Sequence, residues 1–150
     1  MTPRTEPVVS PTELAGRLRP VLLKLNRELR RETASFGVTG GQATLLGLIR
    51  RSPGIGVREL AARERIAPAS MSVAVARLEK TGLVRRTADP RDGRRQALWV
   101  TEEGDRILHT VRTRRTAWLA ARLHRLPPEK LAAVSAALEA LTELLEEDEL

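Results

Sequence analysis

Apolar positions along the chain follow a helical rhythm that is broken once, near residue 83, and resumes near residue 101. Leu14, Leu18, Val21, Leu25 and Leu29 step by four, three, four and four with charges between them, the stripe of an amphipathic helix. Ser10, Pro11 and Glu13 supply its start: a capping hydroxyl, proline at the first helical position and an acid shortly after. The helix is expected from 11 to about 33, with Gly37 just past its end. Thr39 and Gln42 have capping-box spacing and open a second helix carrying Leu45, Leu46, Leu48 and Ile49. Gly40 and Gly41 in its first turn predict a loose start. A short third helix, 57–64, is followed after one turn by a fourth, 68–80. There Met71, Ala74, Val75 and Leu78 form the buried face, leaving Ser70, Ser72, Val73, Ala76 and Arg77 outside.

The break reads as a β-hairpin. Residues 83–88 and 96–100 have strand character and flank the loop DPRDGRR. Asp89-Pro90 initiates a turn, and Asp92-Gly93 predicts a tight reversal with the glycine at positive φ. Thr101 then caps a fifth helix, with Glu102 and Glu103 where the helix dipole favours acids. That helix carries Ile107, Leu108, Val111, Trp118, Leu119, Leu123 and Leu126 around the polar run 112–115, and stops at LPPE. In the last helix Leu131, Val134, Leu138, Leu141 and Leu145 alternate steps of three and four, an a/d seam. The stripes of the first and last two helices are long and want partners, which a second copy of the chain supplies economically.

Charge changes the picture more than overall composition does. The formal net charge is +7, but between Arg50 and Arg95 there are 12 basic residues against five acids, whereas from Glu129 to Leu150 seven acids face the single Lys130. The centre is therefore suited to a polyanion and the C-terminal end is not. Phe36, Trp99 and Trp118 are the only aromatics, too few for stacking single-stranded bases, so the polyanion expected is a duplex. Without cysteine, disulfides, thiolate zinc sites and thiol redox sensing are excluded, and His109 and His124 are too separated to suggest a metal site. No P-loop, dinucleotide fingerprint, nucleophile elbow or metal-ligand spacing occurs, so neither catalysis nor a cofactor is expected. No apolar run approaches a membrane span, and a cytoplasmic protein without membrane contact is expected.

Helix, short helix, turn, helix and hairpin with a basic tip is the order of a winged helix-turn-helix. In that fold the second helix of the pair enters the major groove and the hairpin reaches the neighbouring minor groove. The fold class expected is mainly α with a small β-hairpin wing, flanked by N- and C-terminal dimerisation helices. The stretch from Gly56 to Gly104, with its L-A, RLEKTGLVRR, DPRDGRR and T-x-x-G segments, resembles the MarR family of transcriptional regulators, and the likeness extends over nearly the whole chain.

The resemblance implies one domain over 1–150, with residues 10–36 and 102–150 as dimerisation helices and 38–101 as the winged helix-turn-helix. It implies that Ser70, Ser72, Val73 and Arg77 face the major groove and that Arg94 enters the minor groove. Asp92 would hold that arginine in place, with Arg91 and Arg95 on phosphates or the groove rim. It further implies a homodimeric repressor of a pseudo-palindromic operator, with a small-molecule effector in the crevice beside the dimerisation helices. Two departures from the family pattern, Ala67 in place of a polar cap before Pro68 and the Gly40-Gly41 pair, predict local mobility. The competing reading is a winged-helix protein-interaction adaptor without DNA binding. It calls for an apolar or acidic recognition face and a shortened wing, which this chain lacks.

Overall fold

A computed structural model describes residues 9–146. It contains α1 (Pro11–Arg31), a 3-10 turn (Ala34–Phe36), α2 (Gly40–Arg51), α3 (Val57–Arg63) and α4 (Pro68–Lys80). These are followed by β1 (Val84–Ala88), β2 (Gln96–Val100), α5 (Glu102–Leu123) and α6 (Pro128–Glu146). The ends of the expected 1–150 domain, including the acids Glu147, Asp148 and Glu149, lie outside the described residues.

Local signals set most boundaries. Ser10 Oγ accepts from the Glu13 N–H at 3.2 Å, and Thr101 Oγ1 accepts from the Gly104 N–H at 3.1 Å. At α2 both bonds of the capping box form: Thr39 Oγ1 accepts from the Gln42 N–H at 3.1 Å and Gln42 Oε1 accepts from the Thr39 N–H at 2.9 Å. Thr39→Ala removes one of these acceptors and is expected to cost about 1 kcal/mol, measured by urea unfolding. The loose start expected from Gly40-Gly41 is not what the structure has. A Cβ on Gly40 would lie 2.6 Å from Arg30 Cγ, so glycine there lets α1 cross closely over the closed start of α2.

One apolar core holds the centre together. Leu46, Ile49, Leu60, Met71, Val75, Leu78, Val84 and Leu98 are almost wholly removed from solvent and join α2, α3, α4 and the hairpin. The hairpin is antiparallel with Val84 opposite Val100 and Ala88 opposite Gln96. A third extended segment was not foreseen. Gly54 N–H donates to Leu98 O at 2.8 Å, Leu98 N–H to Ile55 O at 2.9 Å, and Gly56 bridges Ala97. This edge pairing plants the root of the hairpin against the start of α3.

The terminal helices behave differently. In α5 only Gly104, Leu108 and Val111 are buried, all in its first half, and neither α1 nor α6 has a buried residue. Leu14, Val21, Leu22 and Leu25 of α1 and Leu131, Val134, Leu138 and Leu145 of α6 are all exposed. None of the described helices is long and apolar enough to cross a membrane.

Candidate nucleic-acid interface

α4 packs its inner face through Met71, Val75 and Leu78, with Ala74 half-buried beside them. At about 100° per residue, Ser70 and Ser72 fall on opposite flanks of the helix: exposed Ser70 lies about 60° from Val73 and shares its face, whereas Ser72 lies about 100° round the other way. Ser70 borders a groove between α2 and α4 that Leu45, Met71 and Ala74 also line, and Ser72 is half-buried on the other side. The line pointing straight outward is Ala69, Val73, Ala76 and Lys80, all exposed, with exposed Arg77 beside it. Lys80 and Ala69 were missed by the sequence reading, although the steps of four, three and four that join them to Val73 and Ala76 were available to find them. Such small side chains around one exposed valine permit close approach to a groove, with basic groups at the C-terminal end for phosphates or base edges. As the sequence suggests, Ala67 gives α4 no side-chain cap; the turn before it is closed by Ile66 N–H donating to Ala61 O at 2.9 Å.

The loop between β1 and β2 is built by its two aspartates. Asp89 Oδ1 accepts from the Arg91 N–H at 2.9 Å and Asp92 Oδ1 accepts from the Arg94 N–H at 3.0 Å, two Asx turns in succession. Backbone bonds from Asp89 N–H to Arg95 O and from Arg95 N–H to Asp92 O, both 2.9 Å, close the tip. Two expectations change here. Gly93 is not among the residues of positive φ, because the side-chain turns make the reversal without it. Asp92 holds Arg94 through its backbone N–H; among the described residues no ion pair joins the Asp92 carboxylate to a guanidinium. Arg91, Asp92, Arg94 and Arg95 are all exposed, so the tip is a hydrogen-bonded turn that displays cations to solvent.

Lower on the hairpin, Trp99 Nε1 donates to Thr87 Oγ1 at 2.8 Å across the two strands, with the Arg85 guanidinium 5.6 Å from the indole ring. Arg86 Nε meets Glu79 Oε2 at 2.7 Å and ties β1 to the end of α4. Arg95 turns back towards α3, its Nη2 3.6 Å from Glu59 Oε2. The outward line of α4 and the basic tip of the hairpin are thus braced by acids on their rear sides. No group of His, Asp or Glu among the described residues is disposed to hold a metal ion.

This arrangement defines the class: a winged helix-turn-helix of the kind that binds DNA in transcriptional regulation. The family follows from comparison with known proteins. The MarR family model matches residues 36–95, and the chain is 31% identical over 138 residues to an HTH-type transcriptional regulator of Mycobacterium tuberculosis, covering 92% of this chain and 96% of that one. It is also 28% identical to the HTH-type transcriptional repressor MdtR of Bacillus subtilis, over 88% of this chain and 85% of that one. A solved transcriptional regulator of Pseudomonas aeruginosa shares 34% identity and superposes with a TM-score of 0.78, over 89% of this chain and 94% of that one. The chain belongs to the MarR family, whose members are transcriptional regulators and not enzymes.

Proposed function

We propose that the protein is a cytoplasmic homodimeric repressor that binds a pseudo-palindromic operator, α4 reading the major groove and the hairpin the adjacent minor groove. The observation that carries the reading is the tip built by Asp89 and Asp92, which turns the backbone so that Arg91 and Arg94 face solvent. Val73 and Arg77 read bases or rim phosphates, Ser70 and Ser72 serve the two walls of the groove, Arg91 and Arg95 serve phosphates, and Arg94 enters the minor groove with its backbone fixed by Asp92. Regulation by repression is supported by the relationship to MdtR, itself named a repressor.

Residues 38–101 form the DNA-binding lobe, and 10–36 and 102–146 the dimerisation helices, the last four residues of the expected 102–150 segment lying outside the described residues. The support is physical: Leu14 at 52%, Val21 at 54% and Leu138 at 59% exposure sit in continuous stripes that one chain leaves open to water. α1 is rich in arginine and the C-terminal helix in glutamate, so pairing between copies is complementary in charge as well as apolar. With two lobes per dimer, half-sites are spaced about one helical turn, roughly 34 Å.

The effector site of this reading is a cleft of about 330 Å³ between α2 and α5, where Thr44, Arg51, Arg112 and Arg115 converge. Arg115 Nε donates to Leu29 O at 3.3 Å, while one terminal nitrogen is buried without a partner. Burial, and secondarily the nearby Arg30, lower the pKa of this guanidinium, so a small anion there would relieve an uncompensated cation.

The test is a titration of labelled duplex, selected from a random pool by the protein itself, over a salt series. With six or more phosphates contacted, affinity is expected to fall roughly a thousandfold or more between about 50 and 200 mM salt. A flat salt dependence, or a monomer by sedimentation at micromolar concentration, contradicts the reading.

A further inference from the structure

Beside the root of the hairpin lies a recess of about 240 Å³ that the sequence reading did not anticipate. Arg58 from the first turn of α3, Arg86 from β1, and Arg94 and Arg95 from the end of the loop converge on it, with Gly56 and Val57 also in its wall. These four arginines are separated by up to 37 positions in the chain, and only the pairing of residues 54–56 with β2 brings them together.

The four cations are not equivalent. Arg86, with 22% of its side chain exposed, is held by Glu79 at 2.7 Å. Arg95 is drawn across the wall towards Glu59, whose other oxygen takes Arg63 at 2.7 Å. Gly56 leaves room for this, since a Cβ there would come within 3.2 Å of Arg95 Nη2. Among the described residues the guanidinia of Arg58 and Arg94 have no carboxylate partner. The recess therefore has two cations fixed by acids, two unengaged ones, and a net positive charge after both acids are counted. Planar guanidinium forks arranged around a small volume suit a tetrahedral oxyanion, which accepts paired hydrogen bonds from several directions.

We propose that this recess is a phosphate site which grips the sugar–phosphate strand running between the major groove entered by α4 and the minor groove entered by the hairpin, with Arg58 as its principal ligand. The inference rests on the DNA-binding reading above. A protein that fills two adjacent grooves straddles the strand between them, and α3, packed against both α4 and β2, spans that interval. Arg86 and Arg95 supply fixed positive walls, Arg58 closes on the phosphate, and Arg94 leaves the mouth for the minor groove when the duplex docks. Glu59 and Glu79 are positioning residues that keep two arginines from collapsing onto the rest of the surface. A phosphorylated small molecule would meet the same chemistry, so the test separates the two sources.

Full-length Arg58→Ala, Arg58→Lys and Arg94→Ala proteins, each checked for an unchanged unfolding midpoint, are titrated with the selected duplex and with an unrelated duplex over a salt series. Arg58→Ala is expected to weaken both duplexes equally, by about 5- to 20-fold, and to reduce the slope of log K against log salt by about 1, with Arg58→Lys restoring part of the loss. Unchanged affinity and slope in Arg58→Ala, while Arg94→Ala binds weakly, overturns the phosphate site and leaves the DNA reading standing. If both variants bind like the parent protein, the DNA interface itself is wrong. Inorganic pyrophosphate is titrated in parallel at constant ionic strength. Arg58-dependent pyrophosphate binding combined with unaltered duplex affinity overturns the backbone assignment in favour of a phosphorylated solute.

Discussion

Arg94→Ala is expected to weaken binding to the selected duplex by roughly 5- to 150-fold, about 1–3 kcal/mol, and to reduce the preference for A·T-rich flanks. The side chain is exposed at the tip, it has no acid partner among the described residues, and its backbone N–H is pinned to Asp92 at 3.0 Å. Removing it costs little folding energy because nothing in the free protein depends on it. In the proposed complex the group would sit where a narrow A·T groove concentrates negative potential, so the expected loss falls on binding and on sequence preference together. Fluorescence anisotropy with A·T-rich and G·C-rich flanks at fixed salt measures both effects. Equal weakening on the two flanks would place Arg94 on phosphates instead. Asp92→Ala offers a graded companion: it removes the acceptor that shapes the turn and should weaken binding by less than Arg94→Ala, without altering the charge at residue 94.

Gly104→Ala is expected to lower the unfolding midpoint by roughly 5–12 °C, read by circular dichroism at fixed protein concentration. A Cβ at residue 104 would stand 2.3 Å from Leu83 O and 2.7 Å from Val100 Cγ1. The first of these is backbone, already accepting from the Thr101 N–H at 3.0 Å, and cannot swing away as a side-chain tip would. Relief requires α5 to lift from the hairpin, which opens the core around Leu83, Val100 and Leu108. Duplex affinity should fall as well, since the same junction seats the hairpin. An unchanged midpoint would show that α5 does not press on residue 83 as closely as the geometry requires.

The T-x-x-G segment was visible as a motif, and a Thr cap could be read from it, but its glycine had no stated reason until the Leu83 carbonyl appeared beneath it. Gly40 teaches the same lesson in the opposite direction. Propensity made it a weakness of α2, whereas its neighbour across space, Arg30, makes it a requirement. Both failures have one cause: a glycine's meaning depends on what approaches it, and close approach is a property of the assembled chain. For α4 the difficulty was angular. Small and polar residue types suggested a single reading face, yet the helical pitch separates Ser70 from Ser72 and brings Ala69 and Lys80 into line with Val73.

Local chemistry was sufficient for the elements themselves, because caps, apolar steps and aspartate turns act over three to seven residues and need no distant partner. It also located the hairpin tip and its arginines, since the Asp89 and Asp92 turns are made by adjacent residues. What folding alone decided was the company each group keeps. The pairing of residues 54–56 with β2, the return of Arg95 to Glu59, and the four-arginine recess around Arg58 all join residues far apart in sequence. Such contacts depend on how elements dock, which no periodicity records, because loop lengths and core shape set it only after the helices have packed.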